Sequence, residues 1–300
     1  MSVYNLKSIK QRFKKNGIFY TSKELALTLK SYVTINPSTV YDPTCGDGAL
    51  LEVFDDNIKK YGQEIDSIQL NEASRKLVNF TGRVGDTLKD DKFIDCLFDL
   101  IIANPPFSIS WTPEVSDDRF NTLPAMPPKS KADYAFIAHI LKHLDPKEMA
   151  IVLCFPGILY RGNSEGKIRK WLIDNNLISQ VISIPPNQFV DTKIATCILV
   201  LQKNKTSTEI TFESKDLKKI RIVEQQEVVD NDYNLSVSQY IQEEIIEVKY
   251  DPLVLENKAR SNMIRKLIAD LEMSKMICEW ENYDFKTYLN EIKEVLKNYE

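Results

Sequence analysis

A doubly wound α/β domain on a mostly parallel sheet, followed by a small C-terminal helical extension, is the fold that this 300-residue sequence predicts. Short apolar runs alternate with amphipathic stretches over the first two-thirds of the chain, the pattern of parallel strands joined by covering helices. Two of those runs, 97–103 and 149–155, are almost continuous in Leu, Ile, Val and Phe, as strands buried on both faces must be. After Lys205 the texture changes to short β-prone pieces with Gln/Glu-rich connections, and then to helical periodicity. The sequence thus predicts a sheet domain over 1–205 and an extension over 206–300.

In chain order, strands are expected at Thr39–Asp42, Gly62–Ile65, Thr81–Gly85, Leu97–Ala103, Met149–Phe155, Leu177–Ile184 and Thr196–Gln202. Helices are expected at Ala132–Leu144 and Ser164–Asn175, the second stopped by Asn175-Asn176. Ser108–Lys131 holds Pro113, Pro124, Pro127 and Pro128 and sustains no period. A loop of that length inside a compact domain is as a rule functional or disordered, and its start directly after a Pro-Pro motif favours function. Beyond 205, Glu209–Phe212 and Ile220–Val223 are β-prone, and two helices follow around 253–278 and 284–299. In the last, Phe285, Tyr288, Leu289, Ile292, Val295, Leu296 and Tyr299 form one apolar stripe. The pair either folds back on its own domain or protrudes as an arm toward a partner subunit, and the sequence leaves both open.

Composition narrows the class. With 43% hydrophobic and 27% charged residues the chain can bury a substantial core. Its net charge of −4 is not that of a protein gripping phosphates unaided, so any nucleic-acid affinity is local or borrowed from a partner. Cys45, Cys96, Cys154, Cys197 and Cys278 are odd in number and never paired as C-x-x-C, which predicts free thiols in a reducing compartment. Residues 1–7 lack the apolar run of a signal peptide and no stretch approaches a membrane span, so a soluble cytoplasmic protein is expected. The basic run Lys7, Lys10, Arg12, Lys14, Lys15 reads as the solvated face of a helix packed through Leu6, Ile9 and Phe13.

The first chemical signal is Asp42-Pro43-Thr44-Cys45-Gly46-Asp47-Gly48, leaving a strand where such folds bind ligands. Gly46 and Gly48 remove Cβ atoms where a ligand must approach the backbone. A dinucleotide site would need G-x-G-x-x-G, but position 51 is Leu, and Asp42 and Asp47 would repel a phosphate. An amine-bearing nucleoside such as S-adenosyl-L-methionine fits the charge better. Glu64, ending the second strand, could accept both ribose hydroxyls, with Asp66 its rival if the strand runs on; Asp86, after the third, could accept from an adenine amino group. The decisive element is Asn104-Pro105-Pro106-Phe107 at the end of a buried strand. The two prolines remove N–H donors, so the Asn104 amide oxygen and the Pro105 carbonyl can both accept from one exocyclic amine. Held so, the amine nitrogen turns its lone pair toward a methyl donor, while Phe107 stacks on the base. His139 and His143 share a helix face, but no Glu completes H-E-x-x-H and no third ligand is evident, so no metal is expected. Cys45, with nothing basic adjacent, reads as a buried turn filler rather than a nucleophile.

With these residues in place, the chain resembles the S-adenosylmethionine-dependent, amino-methylating DNA methyltransferases, above all the modification subunit of type I restriction–modification systems. The resemblance runs from about Phe13 to about Tyr240. It includes Gly17–Thr21, the 42–48 loop, Gly62–Ile65, Asn104–Phe107, Lys131–Ile137, Pro156–Gly162, Ile168–Lys170, Ile184–Phe189 and Asn234–Ser236. It implies a Rossmann-like methyltransferase sheet, with 1–205 as the catalytic domain. Tyr20 and Thr21 with Asp42, Pro43, Thr44, Cys45, Gly46 and Gly48 would contact the cofactor; Glu64 would hold its ribose and Asp86 its adenine. It further implies N6 methylation of an adenine flipped out of DNA, and C-terminal helices that bind a separate specificity subunit. Ser22 stands where the family often has Pro, Asp47 where Ser is common, and the usual N-terminal helical domain is expected to be missing. Methylation of an amine or amide in RNA or protein, or a non-catalytic cofactor-binding scaffold subunit, is the alternative.

Overall fold

Residues 21–186, 188, 194–243 and 251–299 are described by a computed structural model. The strands are β1 (Thr39–Asp42), β2 (Lys59–Glu64), β3 (Phe80–Val84), β4 (Phe98–Ala103), β5 (Leu144–Cys154), β6 (Ile178–Ile184), β7 (Thr196–Gln202), β8 (Ile210–Ser214) and β9 (Lys219–Val223). They pair into one sheet in the order β3-β2-β1-β4-β5-β7-β6-β8-β9. The β3 to β5 half is parallel throughout; β7 runs antiparallel to β5 and β6, and β9 antiparallel to β8. Strand order reverses at β1, between β2 and β4, which makes the C-terminal edge of β1 and β4 the topological switch point where open α/β sheets bind ligands.

The helices of this part are α1 (Lys23–Lys30), α2 (Ser67–Lys76), the single turn α3 (Asp118–Asn121), α4 (Asp133–His143), α5 (Asn163–Asp174), α6 (Gln225–Asp230) and α7 (Val237–Tyr240). Burial on both faces follows from the period of two along each strand. Tyr41, Ile101 and Val152 share one core with Ile137 and Ile140 of α4 and Leu172 of α5. Their neighbours Val40, Leu100, Ile102 and Ile151 share the other with Leu25 and Leu29 of α1 and Leu70 of α2.

The β1 and β7 limits agree with the sequence reading, whereas β2 starts three residues earlier and β5 five residues earlier than expected. Polar residues hide both starts. Lys60 is buried in β2 with its ammonium on the carbonyls of Asp55 (2.9 Å) and Val78 (3.3 Å), and β5 opens with exposed Pro146 and Lys147.

The division expected at 205/206 is corrected. β8 pairs in parallel with β6, and Phe212 stacks on Tyr240 of α7 at 4.0 Å, so the sheet unit extends to Glu243. Alternating burial on β8 fixes those residues to the sheet, a fact the short β-prone run did not reveal. The second unit, from Glu244, contains α8 (Pro252–Trp280) and α9 (Phe285–Leu296). Asp251 and Asp284 cap the two helices, and Tyr288 donates to Ser274 at 3.2 Å, joining them as a pair. Phe285, Tyr288, Leu289 and Ile292 of the expected stripe are half-buried, while Val295 and Leu296 are exposed. The basic N-terminal run, Gly17–Tyr20, Asn187, Phe189 and the Tyr299 side chain lie outside the described residues. Among the described residues no helix is long and apolar enough to cross a membrane.

Candidate active site

Most of the sequence-predicted residues converge on one cavity of about 340 Å³ at the switch point. Thr21, Asp42, Pro43, Thr44, Cys45, Gly46, Glu64, Asp86, Asn104 and Pro106 all line it. Gly48, Pro105 and Phe107 do not: Pro105 is buried, and Phe107 packs in part against the core under α1. Tyr20 lies outside the described residues.

The glycine loop is held by carboxylates from below. Asp42, ending β1 and 1% exposed, accepts from the Thr44 N–H at 2.9 Å, an Asx turn that aims the chain out of the strand. Gly46 (φ +52°) donates its N–H to Glu64 Oε2 at 2.9 Å, and Glu64 Oε1 accepts from the Asp66 N–H at the same distance. Each Glu64 oxygen retains a lone pair for a ligand hydroxyl. Asp66 instead caps α2, accepting from Ile68 N–H at 2.8 Å, because β2 stops at Glu64. Gly62 is glycine because a Cβ would stand 2.7 Å from Cys45 Sγ. Burial, with Asp42 and Glu64 beside it, pushes the Cys45 thiol well above its ordinary range, so the sulfur is packing material.

Gly48 (φ +85°) touches α2 rather than the cavity: an added Cβ would lie 2.8 Å from Leu77 Cδ1 and 3.1 Å from Ala73 Cβ. Gly48→Ala should therefore destabilise the fold by about 1–3 kcal/mol, read as a lower midpoint in chemical denaturation.

The charge around the cavity is negative. Asp47, expected to add to it, is paired with Lys76 at 2.6 Å, and Asp86 with Lys89 at 3.8 Å, so Asp42, Glu64 and Asp66 set the potential. Burial pushes the Asp42 carboxyl up to about 7, with Glu64 contributing, and burial likewise raises Glu64. A bound cation would favour the ionised form of both. The cavity size, the bare backbone at Gly46 and this ring of acceptors fit S-adenosyl-L-methionine, with its sulfonium, ammonium and ribose diol.

Asn104 stands at the C-terminal tip of β4, level with the loop that leaves β1. Its Nδ2 donates to Thr21 Oγ1 at 3.0 Å, which orients the amide and leaves Oδ1 with no partner among the described residues. Downstream, Ser108 takes φ +51° and its N–H donates to Asp133 Oδ1 at 3.2 Å, anchoring the motif to the first turn of α4. Asp133 thus ties Lys131–Ile137 to Asn-Pro-Pro-Phe, a long-range contact that local sequence does not announce.

The Ser108–Lys131 connection is folded. Trp111 meets Phe120 edge-to-face at 4.8 Å, and its Nε1–H donates to the Pro128 carbonyl at 2.9 Å. Trp111, Ile109 and Ser110 complete one wall of the cavity; no period flagged them. His139 and His143 gain a third neighbour, Asp91, that distance in sequence had concealed. Its carboxylate lies 2.8 Å from His143 Nε2, His143 Nδ1 reaches the Cys96 carbonyl at 2.9 Å, and His139 Nδ1 faces Arg119 at 2.9 Å. Burial alone would raise the Asp91 carboxyl, but the His143 hydrogen bond leads the opposing effects that hold it at about 2. The three side chains therefore form a closed hydrogen-bond network around a guanidinium.

Set beside known proteins, residues 4–222 match the family model for N-6 DNA methylases. The chain is 30% identical to the methylase subunit of the type I restriction enzyme MpnII of Mycoplasma pneumoniae, over 87% of this chain and 61% of that protein. It is also 30% identical to the MjaIX methylase subunit of Methanocaldococcus jannaschii, over 64% of this chain and 38% of that one. A solved type I restriction–modification methyltransferase subunit from Streptococcus thermophilus superposes with a TM-score of 0.70 at 28% identity, covering 78% of this chain and 62% of that one. The chain spans about half the length of the curated relatives it matches.

Proposed function

The chain belongs to the N-6 DNA methylase family, and from that premise we propose that it transfers a methyl group from S-adenosyl-L-methionine to the N6 amino group of adenine in DNA, as the modification subunit of a type I restriction–modification system. One observation carries the reading: the Asn104 amide, oriented by Thr21 with its oxygen unpartnered among the described residues, lines the same cavity as Gly46, Asp42 and Glu64. S-adenosyl-L-methionine, when bound, supplies an electrophilic methyl on sulfur. Asn104 Oδ1 and the Pro105 carbonyl accept the two amine hydrogens of an everted adenine and so direct its nitrogen lone pair into the cavity. Phe107, packed in part against the core under α1, would have to turn outward to stack on the base, a contact worth about 1–3 kcal/mol. The rate advantage comes from orientation, without a covalent intermediate. A cytoplasmic location goes with this role.

The helical pair supports a partner role. Met263, Ile264, Leu267, Ile268, Met276 and Trp280 on α8 are all exposed, an apolar stretch that a specificity subunit would cover while supplying the DNA affinity an acidic chain lacks. The test is methylation by the complex purified from its host. Digested product DNA should contain N6-methyladenine; label found only in RNA or protein, or none at all, would overturn the assignment.

Asp42 adds a pH signature. Its carboxyl is neutral below about 7 and anionic above it, so affinity for the cationic cofactor should rise as pH passes from 6 to 8, with proton release on binding. The same raised value means that the ligand-free fold binds this proton more tightly than the unfolded chain. Stability from this group therefore falls as pH climbs from about 4 toward 7. Calorimetry in buffers of different ionisation enthalpy reads the released proton; a pH-independent affinity would count against Asp42 as the titrating group.

A further inference from the structure

Arg119 lies on the Ser108–Lys131 connection in the single turn α3, yet it is only 7% exposed, and the transfer chemistry does not call for it. All three guanidinium nitrogens are engaged. Nη1 donates to the Thr87 carbonyl at 2.7 Å and to His139 Nδ1 at 2.9 Å; Nη2 donates to the Leu88 carbonyl at 3.0 Å and to Asp117 Oδ2 at 2.6 Å. Nε donates to Asp117 Oδ1 at 3.0 Å, and Asp91 lies 3.5 Å from Nη1. A guanidinium only donates, so His139 Nδ1 accepts and the imidazole carries its proton on Nε2, facing Tyr41 Oη at 3.1 Å. Burial, with His143 and Arg119 nearby, keeps that ring neutral.

The two carbonyls that Arg119 grips directly follow Asp86, and Tyr41 directly precedes Asp42. Thr87 is tied from its other side as well, its hydroxyl donating to the Pro43 carbonyl. One buried cation thus connects the turn after β3, the strand end at Asp42 and the connection that follows Asn104-Pro105-Pro106-Phe107. Thr87, Leu88 and Trp111 are all cavity walls.

We propose that Arg119 is the positioning residue that fixes the Asp86–Leu88 turn, and through it the edge of the cavity that reads the cofactor's adenine ring. The proposal rests on the methyltransferase reading of the cavity. Lysine cannot replace it, because a single ammonium does not span two carbonyls, a carboxylate and an imidazole in the plane of a fork.

The test compares calorimetric affinities of the full chain for S-adenosylhomocysteine and S-inosylhomocysteine, which differ at the six-position of the purine. The unmodified chain should prefer the adenine ligand. In Arg119→Lys, and in Arg119→Ala if it folds, the preference should shrink by about tenfold, the value of one well-made hydrogen bond to the base. Asp117→Asn, which loosens the guanidinium without removing it, should fall between. A cooperatively melting Arg119→Lys chain whose preference is unchanged would overturn the inference while leaving the cofactor site standing. An unmodified chain that binds neither ligand would bring down the methyltransferase reading, and this inference with it.

Discussion

Asn104→Ala should lose methyl transfer by about 10²–10³-fold in kcat while binding S-adenosyl-L-methionine almost as the unmodified chain does. The split follows from geometry. The Asn104 amide is held by one hydrogen bond, Nδ2 to Thr21 Oγ1, and its oxygen faces a partner that arrives with the second substrate. Truncation removes an acceptor that matters when the amine nitrogen must pyramidalise, but it takes away no part of the glycine loop, Glu64 or Asp86. Incorporation of labelled methyl into DNA, with the partner subunit present, measures the first quantity and calorimetry the second. Normal incorporation would remove Asn104 from the mechanism; loss of both together would mean that it supports the cavity instead.

Asp42→Ala and Gly46→Val should each weaken cofactor binding by about a hundredfold or more, for different reasons. Asp42 holds the turn into the loop through the Thr44 N–H and contributes a buried negative charge, so its loss frees the turn and removes attraction for a cation. Gly46 sits at φ +52°, where a β-branched residue is strained by about 1–3 kcal/mol. Nothing lies within 4 Å of its would-be Cβ, so the valine side chain would occupy open space that a ligand needs. Wild-type calorimetric affinity in either variant would displace the cofactor from this loop.

Much of the site was readable because strand ends announce themselves. Asp42, Glu64, Asp86 and Asn104 each follow an apolar or alternating run, and parallel strands deliver their C-terminal tips to one edge. Less readable were residues whose role depends on partners distant in sequence. Asp47 looked like part of the acidic ring until Lys76 of α2 was found against it, and Gly48 looked like a ligand contact until Leu77 and Ala73 were found beneath it. The ribose candidates Glu64 and Asp66 were indistinguishable from spacing alone, because two residues of strand length decide which carboxylate ends the strand and which caps the helix.

The same division holds for the chain as a whole. Sequence by itself determined the sheet class, the positions of the first seven strands and the presence of an Asn-Pro-Pro-Phe motif and a glycine loop at strand ends, since periodicity and turn chemistry act within a few residues. Only the tertiary structure decided that β8 and β9 continue the sheet, that the Ser108–Lys131 connection folds into a cavity wall, and that Arg119, Asp91, His139 and His143 meet. Those facts depend on hydrogen bonds and packing between residues 9 to 52 positions apart. A polar residue in the sequence carries no local mark of whether water or another buried group will satisfy it.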